Sequence, residues 1–171
     1  MAKHFYIYLA FFILISCNSN NKQSSEITIS KDSLVNNGNP RYSYKFNVDS
    51  TGYTLTSINI YSESKCIQKI TTKKDIESKH FELIDWNFDG YKDITVLSNC
   101  GSGGCAYWIW NYNPNSGTYE YNKELSEVLG LEMDSKQKQI IFHYRFGDQD
   151  EYWKYYEYIS NELVLKNTVF K

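Results

Sequence analysis

The chain has 171 residues, with 18 Lys and Arg against 20 Asp and Glu, and it carries 16 Tyr, 9 Phe and 4 Trp but only 2 Pro. That balance excludes a disordered tail and a basic nucleic-acid binder, and the length excludes a large multidomain enzyme. It is enough chain for one hydrophobic core, expected over residues 41–171 as a single β domain.

In chain order, Lys3 precedes an uncharged apolar run from Phe5 to Ile15. The run falls well short of the ~20 residues that a membrane-spanning helix needs and has the length of a secretory signal's apolar region. It closes on Leu14-Ile15-Ser16-Cys17, which resembles the lipobox of bacterial lipoproteins. Residues 1–16 are then a signal peptide, Cys17 is the acylated first residue of the mature chain, and residues 17–40 hold that cysteine and a flexible tether rich in Asn and Ser. The alternative is a secreted protein in which Cys17 has no such role. Processing leaves 17 basic against 20 acidic residues, a net charge of −3, which disfavours nucleic acid and suits a basic partner. The expected address is the cell envelope, on the outer membrane facing the periplasm, with membrane attachment through the lipid.

From Arg41 the apolar period is two. Tyr42, Tyr44, Phe46 and Val48 alternate with polar residues, the pattern of a half-buried strand. Further strands are expected at 53–61, 66–71, 80–84, 94–98, 106–112, 118–122, 139–145, 152–159 and 163–170, separated by turn-formers such as Asn37-Gly38-Asn39-Pro40, Asn113-Pro114-Asn115-Ser116-Gly117 and Gly147-Asp148. Only Glu124–Leu131 reads as a short helix. The fold class is all-β and antiparallel: an incomplete β-propeller, a barrel or a sandwich-like arrangement with a hairpin calcium loop. Trp108-Ile109-Trp110 is apolar on both faces, which predicts a central strand covered on each side. The alternation through Trp153, Tyr155, Tyr156 and Tyr158 fits either core or a sugar-binding aromatic platform.

Of four cysteines, Cys17 is assigned to lipid, leaving Cys66, Cys100 and Cys105 in a disulfide-permissive compartment. The short, flexible Gly101-Ser102-Gly103-Gly104 link predicts a Cys100–Cys105 bridge, with Cys66 a buried thiol. Zinc is the rival, but one C-x4-C pair without a second is poor spacing for it. His80 and His143 fall in no nucleophile or metal motif, so no enzymatic activity is expected. A cysteine hydrolase pairing Cys100 or Cys105 with His143 would need a free thiol.

Residues 85–93 read D-x-N-x-D-G-x-x-D. Oxygen side chains from Asp85, Asn87, Asp89 and Asp93, a carbonyl from Tyr91 and a glycine at the sixth place suit Ca2+, which takes six to eight hard oxygen ligands. The twelfth place is Val96, not the bidentate Glu of an EF-hand. With strands on both sides, the loop resembles the calcium hairpins of FG-GAP propeller blades, and the ion would be structural. The alternative is an acidic turn that binds nothing.

The stretch from Phe81 to Arg145, with the lipoprotein signal, resembles exported lipoproteins related to the immunity proteins of interbacterial type IV secretion systems. That resemblance implies a propeller-like calcium domain whose protein partner is a lysozyme-like peptidoglycan hydrolase. It also matches Ser116-Gly117-Thr118-Tyr119 to the S-G-x-Y loop that periplasmic lysozyme inhibitors insert into the enzyme's cleft, giving Ser116, Gly117 and Tyr119 as partner-binding residues. The same four residues also read as an ordinary hairpin turn. Asp148, Asp150 and Glu151 are an acidic patch able to steer a basic partner, or a solvated turn. A calcium-stabilised scaffolding or adhesive lipoprotein without inhibitory activity is the other function that fits the sequence.

Overall fold

The structure, a computed structural model, describes residues 26–27, 33–34, 41–49, 54–72, 81–146 and 150–170. The expected lipidation at Cys17, the signal peptide, most of the tether, His80 and Asp148 lie outside the described residues. Among those described, every regular element is a β-strand.

Two short strands, β1 (Glu26–Ile27) and β2 (Ser33–Leu34), pair with β3 (Arg41–Val48), which continues through β4 (Leu55–Ser62) to β5 (Lys65–Thr71). A second sheet runs β6 (Phe81–Ile84), β7 (Asp93–Gly101), β8 (Gly104–Asn113) and β9 (Thr118–Tyr121). A third runs β10 (Leu131–Asp134), β11 (Gln139–Phe146), β12 (Asp150–Ile159) and β13 (Glu162–Phe170). All pairings are antiparallel, and the second and third sheets are meanders in which neighbours in sequence are neighbours in space.

The second sheet lies between the other two. Period-two alternation sends Trp110 and Tyr112 of β8 to one face and Ile109 to the other. On the first face they join Ile94, Val96, Phe81 and Tyr119 against Tyr42, Tyr44, Phe46, Ile58 and Ile60 of the first sheet. On the second face Ile109 and Trp86 meet Leu125, Leu131, Ile140 and Phe142. The double coverage expected from Trp108-Ile109-Trp110 is therefore present. Tyr44, Leu55, Ile58, Ile60, Ile94, Ile109, Leu125 and Ile140 are fully buried, each apolar side chain contributing about 1.5–3 kcal/mol of transfer free energy.

Two polar devices join the layers. Gln68 of β5 donates through Nε2 to the Tyr119 carbonyl at 2.7 Å and accepts the Tyr119 N–H through Oε1 at 2.8 Å, so a side-chain amide does for β9 what a neighbouring strand's backbone would do. Between the second and third sheets, Gly130 donates to the Cys105 carbonyl (3.1 Å) and accepts from the His143 N–H (2.9 Å). Gly130 has φ +70°, and a β-carbon there would sit 2.3 Å from the His143 carbonyl oxygen. Only glycine fits this backbone-to-backbone junction.

Two expectations are corrected, and one strand was not foreseen. Glu124–Leu131 is not a helix. Asn122 caps one turn by accepting the Glu124 and Leu125 N–H groups at 3.0 Å each, but Glu127 turns left-handed (φ 64°) and its N–H goes instead to the Tyr107 carbonyl. Leu131 then opens β10, a strand the period did not reveal. Cys66 is an exposed free thiol rather than a buried one: among the described residues β5 pairs with β4 alone, and its Ile67 and Ile70 supply its core contacts.

Candidate functional site

The loop between β6 and β7 winds around Asp85. Its Oδ1 accepts the Asp89 N–H at 3.1 Å and its Oδ2 accepts the Gly90 N–H at 2.9 Å. Asn87 Oδ1 also accepts the Asp89 N–H (3.3 Å), Asn87 Nδ2 donates to Asp89 Oδ2 (2.8 Å), and Asp89 Oδ1 accepts the Tyr91 N–H (2.8 Å). Gly90, at φ +91°, supplies the left-handed step that lets the chain turn back. Trp86, the second residue of the loop, is buried and donates its indole N–H to Thr95 Oγ1 at 2.8 Å, which pins the loop to the second core.

Asp85, Asn87 and Asp89 are thus drawn together by a shared set of hydrogen bonds, in the register that hard-cation loops use. Burial pushes the Asp85 carboxyl above its ordinary range, and the neighbouring Asp89 adds to that rise. A cation would relieve both effects. Asp93 is placed differently. It is fully buried; Oδ2 accepts the Trp86 N–H (2.9 Å) and Asn111 Nδ2 (2.8 Å), and Oδ1 accepts the Tyr112 N–H (2.9 Å). Three of its roughly four acceptor sites are therefore taken by the β7–β8 junction. Burial pushes its carboxyl up to about 7, against the pull of those hydrogen bonds. Asp85, Asn87 and Asp89 bring side-chain oxygens of the type calcium takes to one loop, whereas Asp93 is committed to the core. Among the described residues no cluster of three or more His, Cys, Asp or Glu is arranged to hold a metal, so a site here depends on the Asn87 amide oxygen and on backbone carbonyls such as that of Tyr91.

The S-G-x-Y residues separate in space. Ser116 is exposed on the β8–β9 turn, where its hydroxyl lies 2.7 Å from that of Thr118. Gly117 turns with φ +69° and its N–H returns to the Asn113 carbonyl at 2.8 Å. Asn113 Oδ1 accepts the Asn115 and Ser116 N–H groups at 2.9 and 3.4 Å, and the Tyr42 hydroxyl reaches the Gly117 carbonyl at 3.5 Å. This turn is an exposed, braced tip. Tyr119 is elsewhere: it is 4 % exposed, its ring meets Tyr112 edge-on with centroids 5.2 Å apart, and its hydroxyl lies 2.7 Å from that of Tyr44. Burial raises both phenols, Tyr44 to about 12. The Tyr119 side chain fills the core beneath the turn and is not presented at the tip.

Cys100 and Cys105 oppose each other across the β7–β8 hairpin, bonded, with Cα atoms 4.0 Å apart. Neither thiol is free to act as a nucleophile. His143 stacks on Trp153 with centroids 4.8 Å apart and its Nε2 lies 4.0 Å from Glu151, which also pairs with Arg145 at 3.3 Å. Of the aromatic platform, Trp153 and Tyr155 share a face of β12, whereas Tyr156 and Tyr158 pack into the second core.

Sequence reasoning missed the amide row at the mouth of the loop. Asn111 donates to Asp93 and accepts from Asn122 Nδ2, which also lies 3.4 Å from the Tyr158 hydroxyl. The density of asparagine between 111 and 122 was the available signal.

Compared with protein-family models, with curated proteins and with solved structures, the chain matches none.

Proposed function

We propose that the chain is a cell-envelope lipoprotein, anchored through Cys17, whose three sheets are blades of an incomplete β-propeller with a structural Ca2+ in the 85–93 loop, and that it binds and inhibits a lysozyme-like cell-wall hydrolase. The blade reading is supported by meanders that face one another through apolar layers. The calcium reading is supported by the convergence of Asp85, Asn87 and Asp89. The single observation that carries the inhibitor reading is the tip at Asn115–Gly117, exposed at Asn115 and Ser116 and braced by Asn113, Thr118 and Tyr42, as an inserted loop must be. Ser116 and Asn115 would offer a hydroxyl and an amide to the paired carboxylates of a glycosidase cleft, and Tyr119 would support them from below.

The burial of Tyr119 favours a second reading, a calcium-stabilised scaffold without inhibitory activity, because it removes one of the hydroxyls that the resemblance implies. Both are tested by muramidase assays with the detergent-solubilised full chain against several lysozyme classes, in calcium and in chelator. The inhibitor reading expects saturable loss of lysis that Ser116→Asp abolishes through repulsion from the catalytic carboxylates. Undiminished lysis by every class with a folded, calcium-loaded chain leaves the scaffold.

A further inference from the structure

Beside the loop a cavity of about 450 Å³ opens where four segments meet: the 85–93 loop, the end of β8 with its turn, the exit of β9 and the β12–β13 turn. The volume is within the range of small-ligand sites. Its wall is preorganised from within, because Asn111 is held by buried Asp93, Asn122 is held by Asn111, and Asn122 Oδ1 accepts two backbone N–H groups. Over that fixed wall stand groups with spare hydrogen-bonding capacity. The Tyr91 hydroxyl, the Asn161 amide and the Glu124 carboxylate make no side-chain hydrogen bond to another described residue, and Glu120 commits one oxygen, Oε1, to Asn113 at 2.8 Å.

We propose that this cavity is a binding site for a neutral glycan. Among the described residues the lining includes carboxylates, Asp89, Glu120 and Glu124, and no Lys, Arg or His, which disfavours phosphates, nucleotides and uronic acids. Amides and carboxylates side by side supply the paired donors and acceptors that vicinal sugar hydroxyls require. Tyr91 and Tyr158 line the cavity and add phenol groups that can hydrogen-bond a sugar hydroxyl. The lining is richer in asparagine than in acid, which suits a hydroxylated ligand over a cationic one. Sugars that carry an acetamido group match the amides best. The Asn111–Asn122 row is already ordered, so binding loses little side-chain entropy. This site shares Asn115 with the β8–β9 tip but does not use Ser116, the residue that separates it from the inhibitor reading.

The test is calorimetric titration of the detergent-solubilised full chain with chitotetraose, maltotetraose, a sialylated trisaccharide and spermine, each in calcium and in chelator. Saturable binding of a neutral oligosaccharide, weakened at least tenfold by Asn161→Gly with Glu124→Gln, is the expected result. Asn161 already has φ +65°, so glycine there removes the amide and keeps the turn, and an unchanged denaturation curve confirms that the fold survives. Glu124→Gln alone, at an exposed position, is the second variant if the pair fails to fold, with a smaller loss expected. No heat with either neutral glycan, binding of spermine alone, or glycan binding untouched by the variants would each overturn the assignment. Ser116→Asp is expected to leave glycan affinity unchanged, so failure of the inhibitor reading and failure of this one are separately visible.

Discussion

Tyr119 separates a core residue from a contact residue, and its truncation gives opposite results under the two roles. In the structure Tyr119→Ala removes a ring that is 4 % exposed and edge-on to Tyr112, which by comparison with other large aromatic truncations costs about 3–5 kcal/mol. It also leaves the buried Tyr44 hydroxyl without its 2.7 Å partner, adding about 1–3 kcal/mol if no water enters. Against a typical total stability of about 5–15 kcal/mol this is enough to populate unfolded chain. Tyr119→Phe keeps the ring and loses only the hydroxyl, so about 1–2 kcal/mol is expected, or roughly 4–8 °C in Tm for a domain of this size. Urea denaturation followed by tryptophan emission is the assay, since Trp110 shares the Tyr119 cluster. A loss below about 1 kcal/mol for Tyr119→Ala, set against the range for buried aromatics, would refute the placement of this ring in the core.

Gly130→Ala forces a β-carbon to within 2.3 Å of the His143 carbonyl at φ +70°; the left-handed backbone alone costs about 1–2 kcal/mol, and loss of the junction should bring the total above about 3 kcal/mol in a denaturation curve. Asp93 predicts a pH dependence. Its folded pKa, pushed up to about 7 from 3.8, means that the native chain takes up a proton where the unfolded chain stays ionised. The penalty is therefore present above about pH 7 and is relieved as pH falls towards 4. In chelator the chain should gain about 2 kcal/mol between pH 8 and pH 5.5 from this group, and Asp93→Asn should flatten that gain while lowering stability, since an amide cannot accept the Trp86 and Tyr112 N–H groups together. A stability profile equally flat in both proteins contradicts the buried carboxyl.

Much of the strand layout was legible because burial on one face imposes period two: β3, β6, β8, β11 and β12 fall where alternation or an apolar run places them. β10 was hidden because Leu131 is its one buried residue. Glu124–Leu131 carries a helical spacing that one tertiary hydrogen bond, Glu127 N–H to the Tyr107 carbonyl, overrides. The D-x-N-x-D-G spacing marked the loop from sequence, yet nothing local foretold that Asp93 would be drawn into the core by Asn111 and Tyr112, partners 18 and 19 residues away. The same holds for Tyr119, whose inward direction is set by Gln68 and Tyr44 on another sheet. Contacts of that range leave no trace in spacing.

The 85–93 loop is common to the inhibitor and scaffold readings, and calcium titration of the full chain, wild type beside Asp89→Ala, tests it most directly. The account predicts one saturable site in the wild type, a stability gain of about 2.7 kcal/mol at a hundredfold excess over Kd, and loss of both in Asp89→Ala, which in chelator differs from the wild type only by the exposed loop hydrogen bonds it gives up. Absence of binding heat, with identical melting of the two proteins in calcium and in chelator, would contradict it.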